Sequence, residues 1–257
     1  MKIGIIGCGS LGSKVLSSMT KLHTDAKFFV SDKVTIPISY LDMKLEYEFV
    51  DANKKLACNS NHIYLCVKPN NAQEACKEIK NYIGKKDIIV STMAAVPLEI
   101  LQGWLNHEKV IRTMPTMVLP NGPVVVYNPL DLEFPIFSHN NILVNNERQL
   151  DISTAVSGCM PGFLANILEQ WVDAAVNLGL DRKLAEKLIC DNVNSFGDFG
   201  ATRQYELNKI QEMVASKGGA TERGILHLNQ SELDQILIST MKLADFRVRQ
   251  LIKNFKE

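Results

Sequence analysis

Two glycine-rich stretches are the parts of this sequence best suited to hold small anions. Gly7-Cys8-Gly9-Ser10-Leu11-Gly12 follows the apolar run Lys2 to Ile6 and leads into a helical pattern. Placed so, G-x-G-x-x-G is a turn for a dinucleotide. Gly7 allows the tight turn, Gly9 lets the backbone approach a pyrophosphate, and Gly12 lets helix and strand pack closely. The helix start, with Ser10 and Leu11, offers N–H groups and partial positive charge to the phosphates. Asp32 lies 20 residues past Gly12, at the end of the second apolar run. A carboxylate there accepts hydrogen bonds from an adenosine ribose and repels a 2′-phosphate. Asp32 therefore tilts the cofactor toward NADH, while the neighbouring Lys33 ammonium keeps NADPH open. The second stretch, Ser216-Lys217-Gly218-Gly219-Ala220-Thr221, precedes another helical pattern. Consecutive glycines let N–H groups converge into a nest for a carboxylate, and a helix beginning near Thr221 adds its dipole.

Other chemistry is sparse. The six cysteines include no C-x-x-C pair and the five histidines no i, i+4 pair, so no metal site and no disulfide framework are expected. Cys159 reads as a small buried filler, Trp104 and Trp171 as packing residues. Lys plus Arg and Asp plus Glu are 28 each, which gives no one-signed field for nucleic acid or anionic lipid. No run reaches the roughly 20 apolar residues of a membrane helix, and no signal peptide is expected, so the reading is a cytoplasmic chain whose partners are a small molecule and copies of itself.

The elements that must position these stretches fall into two parts. Strand-like runs at Lys2–Ile6, Lys27–Ser31, His62–Val67, Asp87–Ser91, Val110–Thr113 and Val124–Tyr127 alternate with helical spacing at Leu11–Lys21, Asn71–Ile83 and Pro97–Leu105. The stretch Val34 to Val50 resists assignment. From about Gln149 the chain reads as long amphipathic helices, broken near Gly158–Gly162, Gly179, Gly197–Gly200 and Ser216–Gly219. This predicts an α/β fold: a Rossmann-type, mostly parallel sheet domain over 1–146, followed by an all-helical substrate and dimerisation domain over 147–257.

Further motifs carry a resemblance. They are Ile63-Tyr64-Leu65-Cys66-Val67-Lys68-Pro69, Ser91-Thr92-Met93-Ala94-Ala95-Val96, Val110-Ile111-Arg112-Thr113-Met114-Pro115, Ala155-Val156-Ser157-Gly158-Cys159-Met160-Pro161 and Asp173-Ala174-Ala175-Val176-Asn177-Leu178-Gly179-Leu180, with the loop at 216–221. In this order they resemble pyrroline-5-carboxylate reductase over nearly the whole chain. The resemblance implies NAD(P)H-dependent reduction of the C=N bond of 1-pyrroline-5-carboxylate, or a close cyclic imine, to L-proline. It places Asn53, Val67, Lys68, Pro69, Met93 and Ala94 at the cofactor. Ser216, Gly218, Gly219 and Thr221 fall at the substrate, with Thr221 against the ring nitrogen as the catalytic residue. It also implies a homodimer or higher homo-oligomer.

The sequence departs from that family at particular places. M-P-N-T-P reads Met114-Pro115-Thr116-Met117-Val118, the second glycine of S-G-S-G-P is Met160, and the proline of S-P-G-G is Lys217. Lys217, Glu222 and Arg223 resemble the divergent late-competence reductase-like branch, in which a K-G-G-x-T-x-E/R-G loop occurs. These changes bear on the substrate and keep a second function open, a catalytically degenerate dinucleotide-binding sensor or interaction protein. A β-hydroxyacid dehydrogenase would want a lysine early in the first long helix of the second domain, and residues 158–170 contain none.

Overall fold

Short runs of Ile, Val and Phe make the strands, and alternation along them feeds two cores. In the computed structural model, which describes residues 1–33, 47–201 and 206–256, eight strands form one sheet in the order β3-β2-β1-β4-β5-β6-β7-β8. β1 (Lys2–Ile6), β2 (Lys27–Ser31) and β7 (Val124–Tyr127) occupy the expected ranges, and β4 (His62–Leu65), β5 (Ile88–Ser91) and β6 (Val110–Pro115) differ from theirs only at the ends. β3 (Glu48–Phe49) and β8 (Asn141–Leu143) were not expected. Pairing is parallel from β3 to β6 and between β7 and β8, and antiparallel between β6 and β7. Most of the unassigned stretch Val34 to Val50 lies outside the described residues.

Ile3, Ile5, Phe28, Val30, Tyr64 and Val90 face one side of the sheet, where they pack with Val15, Leu16 and Met19 of α1 (Ser10–Leu22). Ile6, Phe29, Ile63, Leu65 and Ile89 face the other. That side is covered by α2 (Asn53–Asn59), α3 (Ala72–Ile79) and α4 (Leu98–Leu105), through Leu56, Ala75, Ile79, Leu101 and Leu105. Burial on both faces is what a parallel sheet requires. A 3₁₀ turn, Pro69–Asn71, takes the first residue expected in α3, Asn71.

α5 (Glu147–Ser153) runs into a π turn at Thr154–Gly158. Then come α6 (Met160–Asn177), α7 (Arg182–Ala201), α8 (Leu207–Val214), α9 (Ala220–Gln230) and α10 (Leu233–Lys253). α7 passes through Gly197 without the expected break, since one glycine inside a helix costs only about 1 kcal/mol. The sheet-and-helix order is thus the Rossmann-type sheet followed by helices that the sequence predicts.

By compactness the chain forms two units, Met1–Pro161 with Leu243–Glu257, and Gly162–Lys242. α5 is held to β6 by Arg112, which is fully buried and pairs with Glu147 at 2.5 Å and Asp151 at 3.0 Å. The last residues belong to the first unit through Phe255 against the Trp104 ring at 5.9 Å, Lys256 to Glu99 at 2.7 Å, and Asp245 to Arg148 at 2.8 Å. Trp104 is the packing residue expected; Trp171 is 56% exposed. No helix among the described residues is long and apolar enough to cross a membrane.

Candidate active site

The strand order reverses between β1 and β4, which makes their carboxyl ends the place for a ligand in a sheet of this kind. After β1 the chain turns at Gly7 with φ +87°, and the Gly7 N–H donates to the Ser31 carbonyl at 2.8 Å. A Cβ on Gly12 would lie 1.9 Å from the Gly7 oxygen, so these two glycines shape the loop itself. Gly9 differs. It caps α1 in extended conformation, no side chain caps the helix, and a Cβ there would meet nothing within 4 Å. The space beside Gly9 and the first N–H groups of α1, from Ser10 and Leu11, therefore fit a pyrophosphate.

Asp32 joins this loop to the end of β2. The Cys8 N–H donates to Asp32 Oδ2 at 2.6 Å, so the carboxylate proposed for the ribose also braces the glycine turn. Burial, with Asp32 nearby, pushes the Cys8 thiol up to about 12, and burial does the same for Cys66. Both remain uncharged, and no thiolate opposes a phosphate there. Gly7, Asp32, Asn53 and Val67 line a cavity of about 120 Å³. Asp32 and Asn53 also line an adjoining cleft of about 600 Å³. Asn53 is the first residue of α2, and its amide donates to Glu78 Oε2 at 2.5 Å. Lys33 pairs with Glu74 at 2.6 Å, which raises its pKa. Lys68 is exposed, just before Pro69 opens the 3₁₀ turn. Beyond β5, Met93 is buried and Ala94 half-buried beside Met114, Val125 and Leu150.

In the helical unit the expected loop lies between α8 and α9. Gly218 has φ +75°, Gly219 caps α9, and the Gly219 N–H donates to the Ser216 carbonyl at 2.9 Å. The helix begins at Ala220, which puts Thr221 in its first turn; Ser216 and Thr221 are exposed. The Gly218 N–H donates to Glu222 Oε2 at 2.7 Å. A carboxylate thus already sits on this backbone nest, and it is the chain's own. The pair is four residues apart, a spacing that the sequence displays and that sequence reasoning did not use.

Residues 147–251 match the family described as pyrroline-5-carboxylate reductase dimerisation, and residues 2–95 one described as NADP oxidoreductase, coenzyme F420-dependent. The pyrroline-5-carboxylate reductase of Aquifex aeolicus is 27% identical over 90% of this chain and 89% of its own length. Together the family matches and relatives in both halves decide the question. This chain belongs to the pyrroline-5-carboxylate reductase family. It is therefore an NAD(P)-dependent oxidoreductase, for which NADH or NADPH is the cofactor. Solved structures agree in fold. The Coxiella burnetii pyrroline-5-carboxylate reductase superposes with a TM-score of 0.87 at 22% identity, covering 97% of each chain. The Plasmodium falciparum pyrroline carboxylate reductase with NADP bound gives 0.83 at 20% identity, covering 98% of each.

Against this family pattern, two departures acquire a structural meaning. The family's S-x-x-A-G-V has Ala95 at its glycine, and Ala95 keeps a left-handed backbone with φ +63°. In M-P-T-M-V, Thr116 is buried while Met117 and Val118 are 43% and 54% exposed. The π turn of the V-S-G-C-M-P segment holds two buried hydroxyls without a partner, Thr154 Oγ1 and Ser157 Oγ, and a Cβ on Gly158 would lie 3.2 Å from Met114 Sδ. Sequence reasoning assigned no role to these hydroxyls, and their type and spacing carry no signal that would.

Proposed function

We propose that this chain reduces the C=N bond of 1-pyrroline-5-carboxylate, or a close cyclic imine, to L-proline, using NADH or NADPH. The observation that carries the reading is the carboxylate on the Gly218 N–H. Glu222 occupies the place proposed for the substrate carboxylate, and its bond to the Gly218 N–H supports a carboxylate site in this loop. In the reaction, the Gly218 N–H holds the substrate carboxylate, while the Gly219 N–H, bonded to the Ser216 carbonyl, keeps the loop closed around it. Thr221 sets its hydroxyl against the ring nitrogen. A nicotinamide bound beside Met93 and Ala94 would supply the hydride for the imine carbon. The nitrogen is protonated beforehand and the product amine keeps that proton, so no side-chain acid is needed and positioning does most of the work. Gly7, Gly9, Ser10, Leu11, Gly12 and Asp32 hold the pyrophosphate and ribose, with Asn53, Val67, Lys68 and Pro69 along the same strand ends and Met93 and Ala94 at the nicotinamide.

The proposal includes a homodimer or higher homo-oligomer. Support comes from the apolar residues that the helical unit leaves exposed, among them Leu178 at 89%, Leu207 at 72% and Met213 at 55%. Leu164, Leu168, Trp171 and Phe196 line an apolar groove of about 640 Å³ in the same unit.

A second reading, a dinucleotide-binding sensor without turnover, draws on the same contact, because Glu222 must leave before a substrate carboxylate enters. Oxidation of NADH and NADPH by the purified protein with pyrroline-5-carboxylate separates the two. Turnover with formation of proline is the expected result; nucleotide binding with no turnover would establish the sensor.

A further inference from the structure

The cleft of about 600 Å³ beyond β2 contains the donors that a 2′-phosphate would use, and two of them are already engaged. Lys33 Nζ lies 2.6 Å from Glu74 Oε2, and the Asn53 amide donates to Glu78 Oε2 at 2.5 Å. Glu74 and Glu78 stand one turn apart on α3, on its exposed side, opposite the buried Ala75, Cys76 and Ile79. They act as a pair on the same ammonium: the Lys33 pKa is raised first by its bond to Glu74, with Glu78 adding to the attraction. Neither glutamate serves the core.

We propose that Glu74 and Glu78 are specificity-determining residues that favour NADH over NADPH, by holding Lys33 and Asn53 in pairs at the adenosine end of the cleft. The inference rests on the reading of this cleft as the dinucleotide site. A 2′-phosphate brings nearly two negative charges to a place where Asp32 already stands. It would be accepted if Lys33 and Asn53 turned toward it, and each is retained by a carboxylate that the phosphate must outbid. Lys54 and Lys77 also line the cleft and keep the discrimination finite. The ribose hydroxyls of NADH ask nothing of Lys33, so their binding is indifferent to the two glutamates.

The test is fluorescence titration of NADH and of NADPH onto the purified protein, wild type against the double variant Glu74→Gln/Glu78→Gln. Gln keeps the size and an acceptor oxygen and removes only charge. The expected result is an NADPH Kd about tenfold lower in the variant with the NADH Kd within about twofold of wild type, a gain that shrinks as salt rises. Adding Lys33→Gln should remove the gain. An unchanged ratio of the two Kd values, equal tightening of both, or a gain that survives loss of Lys33 would overturn the inference while leaving the dinucleotide site intact. Failure of wild type to bind either nucleotide would overturn both.

Discussion

Gly9→Ala separates holding a ligand from holding the fold. In the extended conformation of Gly9, with φ −71° and ψ −157°, alanine is unstrained, and its methyl would meet nothing within 4 Å. The lower entropy of the unfolded chain favours alanine by about 0.4–1 kcal/mol, and the poorer cap takes back a similar amount. The melting temperature should therefore stay within about 2 °C of wild type. Nucleotide binding should not. A methyl in the space of the pyrophosphate pushes it away from the first N–H groups of α1, and one lost bond to a charged oxygen is worth about 1.5–3 kcal/mol. That is a rise in NADH Kd of roughly 10- to 150-fold. Gly12→Ala is the contrast, since its Cβ would be 1.9 Å from the Gly7 oxygen. Forced overpacking of that kind costs about 1–3 kcal/mol, so this variant should melt lower. Thermal melts and NADH fluorescence titrations on both variants make the comparison. A Gly9→Ala protein that binds NADH within twofold of wild type would refute the cradle.

Thr221→Ala should lower kcat/KM for the imine by about 5- to 150-fold and leave the NADH Kd unchanged, as measured by steady-state kinetics and titration. Ala95→Gly relieves a left-handed alanine and should raise stability to denaturant by about 1 kcal/mol. Arg112→Met leaves Glu147 and Asp151 without their cation and should cost about 3 kcal/mol or more in chemical denaturation. Burial raises the Asp151 pKa even with Arg112 in place. Without the arginine it rises further, and because a carboxyl with a raised folded-state pKa destabilises less when protonated, the deficit should narrow as pH falls. Light scattering at micromolar concentration should give at least twice the monomer mass; a monomer would contradict the proposed assembly.

Much of the sheet was legible because its central strands are buried on both faces, and only dense β-branched runs can satisfy that. The strands missed were the two edges. Glu48–Phe49 is two exposed residues, and Asn141–Leu143 is largely exposed, so neither leaves an apolar pattern. α2 was missed because only Leu56 and Ala57 of its seven residues are buried, too few to mark a period. At the candidate site, Gly7, Gly12 and Gly218 answer local backbone demands that a sequence pattern displays, whereas Gly9 answers none. Contacts between distant segments could not be read: nothing in spacing tells that Cys8 N–H meets Asp32, or that Asn53 meets Glu78. Trp171, exposed within its own chain, shows that an apolar helix face reads the same in sequence whether or not its own chain covers it.

The bond from Cys8 N–H to Asp32 has a consequence for how cofactor preference can change over evolutionary time. In the proposed site position 32 would serve two tasks, and a replacement that welcomes a 2′-phosphate by discarding the carboxylate would also untie the glycine turn. Only residues that keep an acceptor within reach, such as Asn or Ser, open a viable path there. The surface of α3 is under no such restraint. On the proposed reading, drift between nucleotides is therefore easiest on α3, and the acidic residue most visible in the sequence is the one least free to vary.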